Sequence, residues 1–361
     1  MAQTKPENSL NEIMAEIGNV MVNLFPLIFS DKILTEQQNK KVYYSVGRLQ
    51  SLFKKAGPHI QKKSPTYQMS YQLLQDYLDT ILIEDHPTSL PEIKSRLSTL
   101  SDFCISCHTQ DNKFRSLFIG TEGVLFESNL ARADFNYATR NYREAHKDYE
   151  KHLLLTHNLK ETDILNVLYR ILSIYTQILN KPKEGIDALN QIESKKIFSD
   201  NIVKYIRNSK YALSELHAAK SNQEQNISFN DLNGYVTQYL GSNNLGQAII
   251  FSSAAEKVER LWLRGALFRY LNNSPKENEM PYILYWLALC DISLGYGYDY
   301  TFADFYVKQC ITRYPSHPFA KFCFSEYEKY VKFYFTTPAE PILPFEINNE
   351  LKKLKSHLKI K

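Results

Sequence analysis

At 361 residues, 43% hydrophobic and 23% charged, the chain is long enough to bury a sizeable core and has the composition of neither a disordered nor a fibrous protein. Its 43 Lys and Arg against 39 Asp and Glu leave a net charge of +4, too small over this length to imply nucleic acid or a membrane surface. With 12 glycines, sheet-rich folds and glycine-rich phosphate loops are disfavoured, and the expected class is all-α.

The first predicted helix carries Leu10, Met14, Ile17, Met21, Leu24 and Ile28 on one apolar face and ends near Pro26. A second follows Thr35, with Val42, Val46, Leu49 and Phe53 on its face, and closes at Gly57-Pro58, leaving His59 in a loop. A third opens at Ser64-Pro65, with Tyr67, Tyr71, Leu74, Leu78 and Ile81 as its stripe. The fourth has Ser89 as N-cap, Pro91 in the first turn and Glu92 completing a capping box. Its apolar positions are Ile93, Leu97, Leu100, Cys104 and Cys107. Four amphipathic helices joined by short loops predict an up-down-up-down bundle.

Cys104, Cys107 and His108 form C-x-x-C-H, the attachment signature of a c-type haem. Two thiols three residues apart on a helical turn can each reach a porphyrin vinyl group, and the next residue places an imidazole under the iron. A thioredoxin-like pair would want a βαβ context, and a zinc site would want two further ligands nearby; the sequence shows neither. In the expected bundle His108 shares an end with the start of the first helix, the end of the second and the start of the third. Candidate sixth ligands are therefore Met14, then His59, with Met69 pointing away from its helix's stripe. Simple core packing remains the alternative role for Met14, surface exposure the alternative for His59, and an open sixth site the alternative to both.

Residues 8–112 resemble a class II c-type cytochrome, the four-helix family of cytochrome c-prime and cytochrome c-556, whose haem is attached by C-x-x-C-H near the end of the fourth helix. The resemblance implies one covalent haem c, thioether attachment at Cys104 and Cys107, His108 as proximal ligand, and Met14 at the position from which the first helix closes the distal side. Asn112 stands where that family often has a basic residue, and some 250 residues follow the likeness.

From Thr121 onward the pattern becomes paired helices. Tyr142, Ala145, Tyr149 and Leu153 resemble the second helix of a tetratricopeptide repeat, and Tyr314-Pro315 with Pro318 resembles the step between such repeats. Further pairs are expected over 163–192 and 282–323, while the Asn-rich stretch 221–250 reads as loop. Degenerate repeats of this kind stack into a solenoid that binds a protein partner. The expected domains are thus 1–116, a haem bundle; 117–335, helical repeats; and 336–361, a Pro-rich linker with a short basic helix from about Asn348. Cys310 and Cys323 flank the turn at Tyr314-Pro315, compatible with a disulfide or with two buried thiols. His146 and His152 do not share a helix face as metal ligands would, and Gly295 and Gly297 have no preceding strand to make them a phosphate loop.

No apolar run of about 18 residues marks a transmembrane helix, and the first nine residues lack a secretory signal's basic and apolar regions. Because thioether attachment of haem belongs outside the bacterial cytoplasmic membrane, the resemblance implies a periplasmic protein whose signal has been removed. The sequence thus predicts a monohaem electron carrier or redox-linked adaptor rather than a catalyst, docked to a protein partner by its repeats. A haem-based gas or redox sensor and a haem-free scaffold are the rival readings.

Overall fold

The computed structural model describes residues 9–28, 33–61, 65–81, 93, 97, 126, 128–195, 197–220, 227–241, 244–245, 253–272, 275–295, 302–337 and 342–358. Among these residues all regular structure is helical. The chain divides into two compact units, Met1–Val167 and Leu168–Lys361.

In the first unit α1 (Leu10–Ile28) starts at a reciprocal cap. The Glu12 backbone N–H donates to the Ser9 hydroxyl at 3.3 Å, and the Ser9 N–H donates to the Glu12 carboxylate at 2.7 Å. Thr35 and Gln38 cap α2 (Glu36–Ile60) in the same way. Ile13, Ile17, Met21, Leu24 and Ile28 of α1 are buried, as are Val42, Val46, Leu49 and Phe53 of α2 and Leu74, Leu78 and Ile81 of α3 (Pro65–Ile81). Each such side chain contributes about 1.5–3 kcal/mol when fully withdrawn from water. Ile93 and Leu97, one turn apart, are helical and fully buried.

The second helix does not stop at Gly57-Pro58, as its sequence suggests; it runs one turn further, so His59 is helical. Pro58 lacks the N–H that would reach the Lys54 carbonyl. The turn closes instead through the Gln61 N–H, which donates to the Gly57 carbonyl at 2.9 Å. α3 holds it from outside, with the Tyr71 hydroxyl donating to the Phe53 carbonyl at 3.0 Å. Gly57 permits that approach, since a Cβ there would lie 2.7 Å from the Tyr71 oxygen.

α4 (Asn129–Ala138) and α5 (Tyr142–Leu155) form a hairpin whose inner face includes the fully buried Ala145, Tyr149 and Leu153. Arg132 grips Asp148 with Nε at 2.8 Å and Nη2 at 2.7 Å, and the Asn136 amide donates to the same carboxylate at 3.0 Å. Phe25 meets Phe135 edge-on, with centroids 5.9 Å apart, so α1 packs on this hairpin within one unit. α6 (Glu161–Ser173) crosses the division between the units and continues as a π-helical turn, Ile174–Ile178.

In the second unit α7 (Pro182–Lys195) pairs with α8 (Asp200–Lys220). α10 (Ala254–Asn272), α11 (Met280–Ser293), α12 (Phe302–Arg313) and α13 (Pro318–Phe335) pack each on the next. Every residue of α11 except Tyr282 is buried. Inside this core Arg264 pairs with Asp291, their side chains 4% and 0% exposed, and the guanidinium lies 4.9 Å from the Phe268 ring centre. One face of α10 caps the π turn: Trp262 Nε1 donates to the Asn180 amide oxygen at 3.2 Å, and Arg269 Nη1 donates to the Gln177 carbonyl at 3.0 Å. Between them Gly265 lets the two backbones meet, because a Cβ there would overlap the Gln177 carbonyl.

The stretch expected as loop contains a helix, α9 (Phe229–Leu240). Ser228 and Asp231 form a capping box, and Leu232 and Val236 are buried one turn apart. That cap and apolar pair outweigh the modest helix penalty of the asparagines. α14 (Phe345–His357) starts at Phe345, earlier than Asn348. Cys310 and Cys323 are joined as a disulfide between α12 and α13, with Cα atoms 6.4 Å apart, and Cys290 is a buried free thiol.

Candidate functional site

Two antiparallel contacts set the register of α1, α2 and α3. Between α1 and α2, Arg48 pairs with Glu16 at 3.1 Å and the Lys41 ammonium donates to the Asn23 side-chain oxygen at 3.5 Å. These residues line an open crevice of about 300 Å³ with Tyr44 and Ser45. Between α2 and α3, the Gln50 amide donates to the Leu78 carbonyl at 2.7 Å and the Gln68 amide to the Gln61 carbonyl at 3.1 Å. Burial raises the pKa of Tyr71, with a smaller push from Asp79, so its hydroxyl stays a neutral donor to Phe53.

This register separates the two sixth-ligand candidates. Met14 lies level with Gln50 of α2 and hence with Leu78 of α3. His59 is nine residues beyond Gln50, roughly 13 Å further along the axis at about 1.5 Å per residue, and level with position 69 of α3. α1 begins at Leu10, level with Lys54, so it stops short of the layer that holds His59. Met14 and His59 therefore occupy different layers of these helices.

Their surroundings also differ from expectation. Met14 is half-buried beside the buried Ile13 and Ile17, whereas Met21 on the same stripe is 4% exposed and belongs to the core. His59 is half-buried in the last turn of α2 rather than on a loop. Met69 belongs to α3, and its side chain lies outside the described residues, as do Cys104, Cys107 and His108. Among the described residues no three His, Cys, Asp or Glu side chains gather as a metal site.

No family model, curated protein or solved structure matches this chain. The donor types in the sequence are those a covalent haem would use: two thiols and an imidazole in C-x-x-C-H, with a half-buried thioether at Met14. Of the other histidines and glycines named from the sequence, His152 and Gly295 have local structural roles, and Gly297 lies outside the described residues. His152 is buried, with Nδ1 at 3.2 Å from the Thr156 hydroxyl, and Gly295, at φ 92°, follows the end of α11 as a left-handed residue. Sequence reading missed the Gly57–Tyr71 contact, although a Gly-Pro pair inside a helical pattern facing a Tyr stripe was its visible signal.

Proposed function

We propose that this chain is a monohaem c-type cytochrome that carries electrons or acts as a redox-linked adaptor. Cys104 and Cys107 would hold haem c through thioethers, and His108 would be the proximal ligand. The observation carrying this reading is the C-x-x-C-H sequence, which follows Ile93 and Leu97, both helical and buried. Bound haem would supply a one-electron couple, with Met14 or His59 completing the iron's coordination. The helical hairpins after Asn129, read as tetratricopeptide-like, would dock the protein partner that exchanges electrons. The Cys310–Cys323 disulfide supports a periplasmic location, because such bonds persist in oxidising compartments, where c-type haem is also attached.

A pyridine haemochrome spectrum of protein matured with the c-type system tests the reading. A covalent haem spectrum is expected; its absence refutes the assignment. Ferric and ferrous spectra then read the sixth site. A sulfur-to-iron band in the parent that is lost in Met14→Leu and retained in His59→Ala assigns Met14, a low-spin ferric spectrum without that band that turns high-spin in His59→Ala assigns His59, and a high-spin ferrous form that binds CO redirects the function toward sensing.

A further inference from the structure

We propose that the outward face of α14 docks the protein on an anionic membrane surface. This goes beyond the haem reading and does not rest on it.

Residues 351–361 contain five lysines and no carboxylate, against +4 for the whole chain, so the first 350 residues together carry −1. The excess charge is therefore concentrated in one short segment. The structure describes that segment as far as Leu358. Leu351, Leu354 and Leu358, 5–6% exposed, seal α14 onto its own unit, where it packs on α12 and α13. Lys308 of α12 pins it further by pairing with Glu350 at 2.5 Å. The opposite side is then held outward: Phe345, Lys352 and Ser356 follow one line along the helix, with Lys353 and Lys355 flanking it. All three lysines are exposed and have no ion-pair partner among the described residues.

A basic face alone is most often solvated, and Lys355 and His357 in the last turn also complement the helix dipole. The apolar residues at the other end of the same face decide the partner. Phe345, the first residue of the helix and on the line of Lys352, is 74% exposed, and Ile342, three residues before it, is 82% exposed. A purely electrostatic partner, such as an acidic protein, has no use for two exposed apolar side chains in that position. An anionic bilayer uses both ends, with ammonium groups among the lipid phosphates and Phe345 and Ile342 at the acyl boundary. Among the described residues no helix is long and apolar enough to cross a membrane, so attachment would be peripheral.

Co-sedimentation of the full chain with vesicles tests the proposal. Binding is expected to phosphatidylcholine vesicles containing phosphatidylglycerol, to weaken with added salt, and to be absent with phosphatidylcholine alone. Replacing Lys352, Lys353 and Lys355 together by Gln should weaken it roughly 125-fold, at about fivefold per lysine. Phe345→Ser should weaken it about tenfold. Ser356→Lys, which adds a cation on the same line, should tighten it about fivefold. Equal binding to neutral vesicles, or a triple variant that binds like the parent, overturns the proposal. So does a chain that ignores anionic vesicles yet binds polyglutamate through the same lysines regardless of Phe345, since the face would then serve an acidic protein. None of these readouts involves haem, so failure here and failure of the haem assignment are separately visible.

Discussion

Counting reactive thiols tests the disulfide and the thioethers in one experiment. The chain has five cysteines, of which Cys290 is free and buried and Cys310 and Cys323 are joined. If haem occupies Cys104 and Cys107, alkylation of the denatured, unreduced protein should label Cys290 alone, and after reduction three sites. Without haem the counts become three and five. Intact mass before and after reduction reads both numbers, and peptide mapping places them. The energetic consequence follows from the sequence separation of 13 between the paired cysteines. Opening a loop of that size returns chain entropy worth about 3 kcal/mol to the unfolded state. For a unit of this size that is roughly a 6–12 °C loss in Tm. Thermal melts of Cys310→Ala/Cys323→Ala against the parent should show it, in addition to the smaller loss from deleting two buried sulfurs. Labelling of Cys310 and Cys323 without reduction, or a melt unmoved by the double substitution, would refute both the bond and its bearing on compartment.

Three further outcomes test the packing argument. Arg264→Met or Asp291→Leu alone should cost about 3–5 kcal/mol by stranding a buried charge, while the double variant should recover most of that loss in a denaturant-unfolding cycle; additive losses would contradict the pairing. Gly265→Ala should destabilise the second unit by about 1–3 kcal/mol, because its methyl meets backbone rather than a movable side chain; a neutral effect on unfolding would show that α10 and the π turn are not in contact. Burial lowers the pKa of Lys308, but Asp304 and Glu350 outweigh it and hold the net shift upward. The Tm gap between the parent and Lys308→Met should therefore stay constant from neutral pH up to about pH 10.4 and shrink as pH rises beyond it. A gap that closes already at neutral pH would rule out the ion pairs as its source.

The helical class and the apolar stripes of α1, α2 and α3 were legible because amphipathic helices write their buried face at a spacing of three and four. Ile17, Met21, Leu24 and Ile28 are buried as that spacing requires, although Ile13, Val20 and Phe25 widen the buried face beyond it. The spacing rule has nothing to say where burial is all round: α11 carries no stripe, only a nearly continuous apolar run. α9 was hidden by its asparagines, although Ser228 and Asp231 spell its cap. The extra turn at His59 depends on Tyr71 from another helix, a tertiary contact that local signals do not encode. At the candidate site, residue types could be read from the chain, but the layer each occupies could not. That Met14 and His59 sit in different layers follows only from cross-helix pairs such as Glu16–Arg48 and Gln50–Leu78.

The enclosure of α11 has a consequence for how the second unit could vary. An open repeat array gains or loses a hairpin at modest cost, because each unit touches only its neighbours. α11 packs against α9, α10, α12 and α13 together, so deleting any of them would bare a helix with no polar face to offer water. Length change by whole hairpins is therefore barred in the middle of this unit, and its helices should melt as one cooperative block rather than fray repeat by repeat.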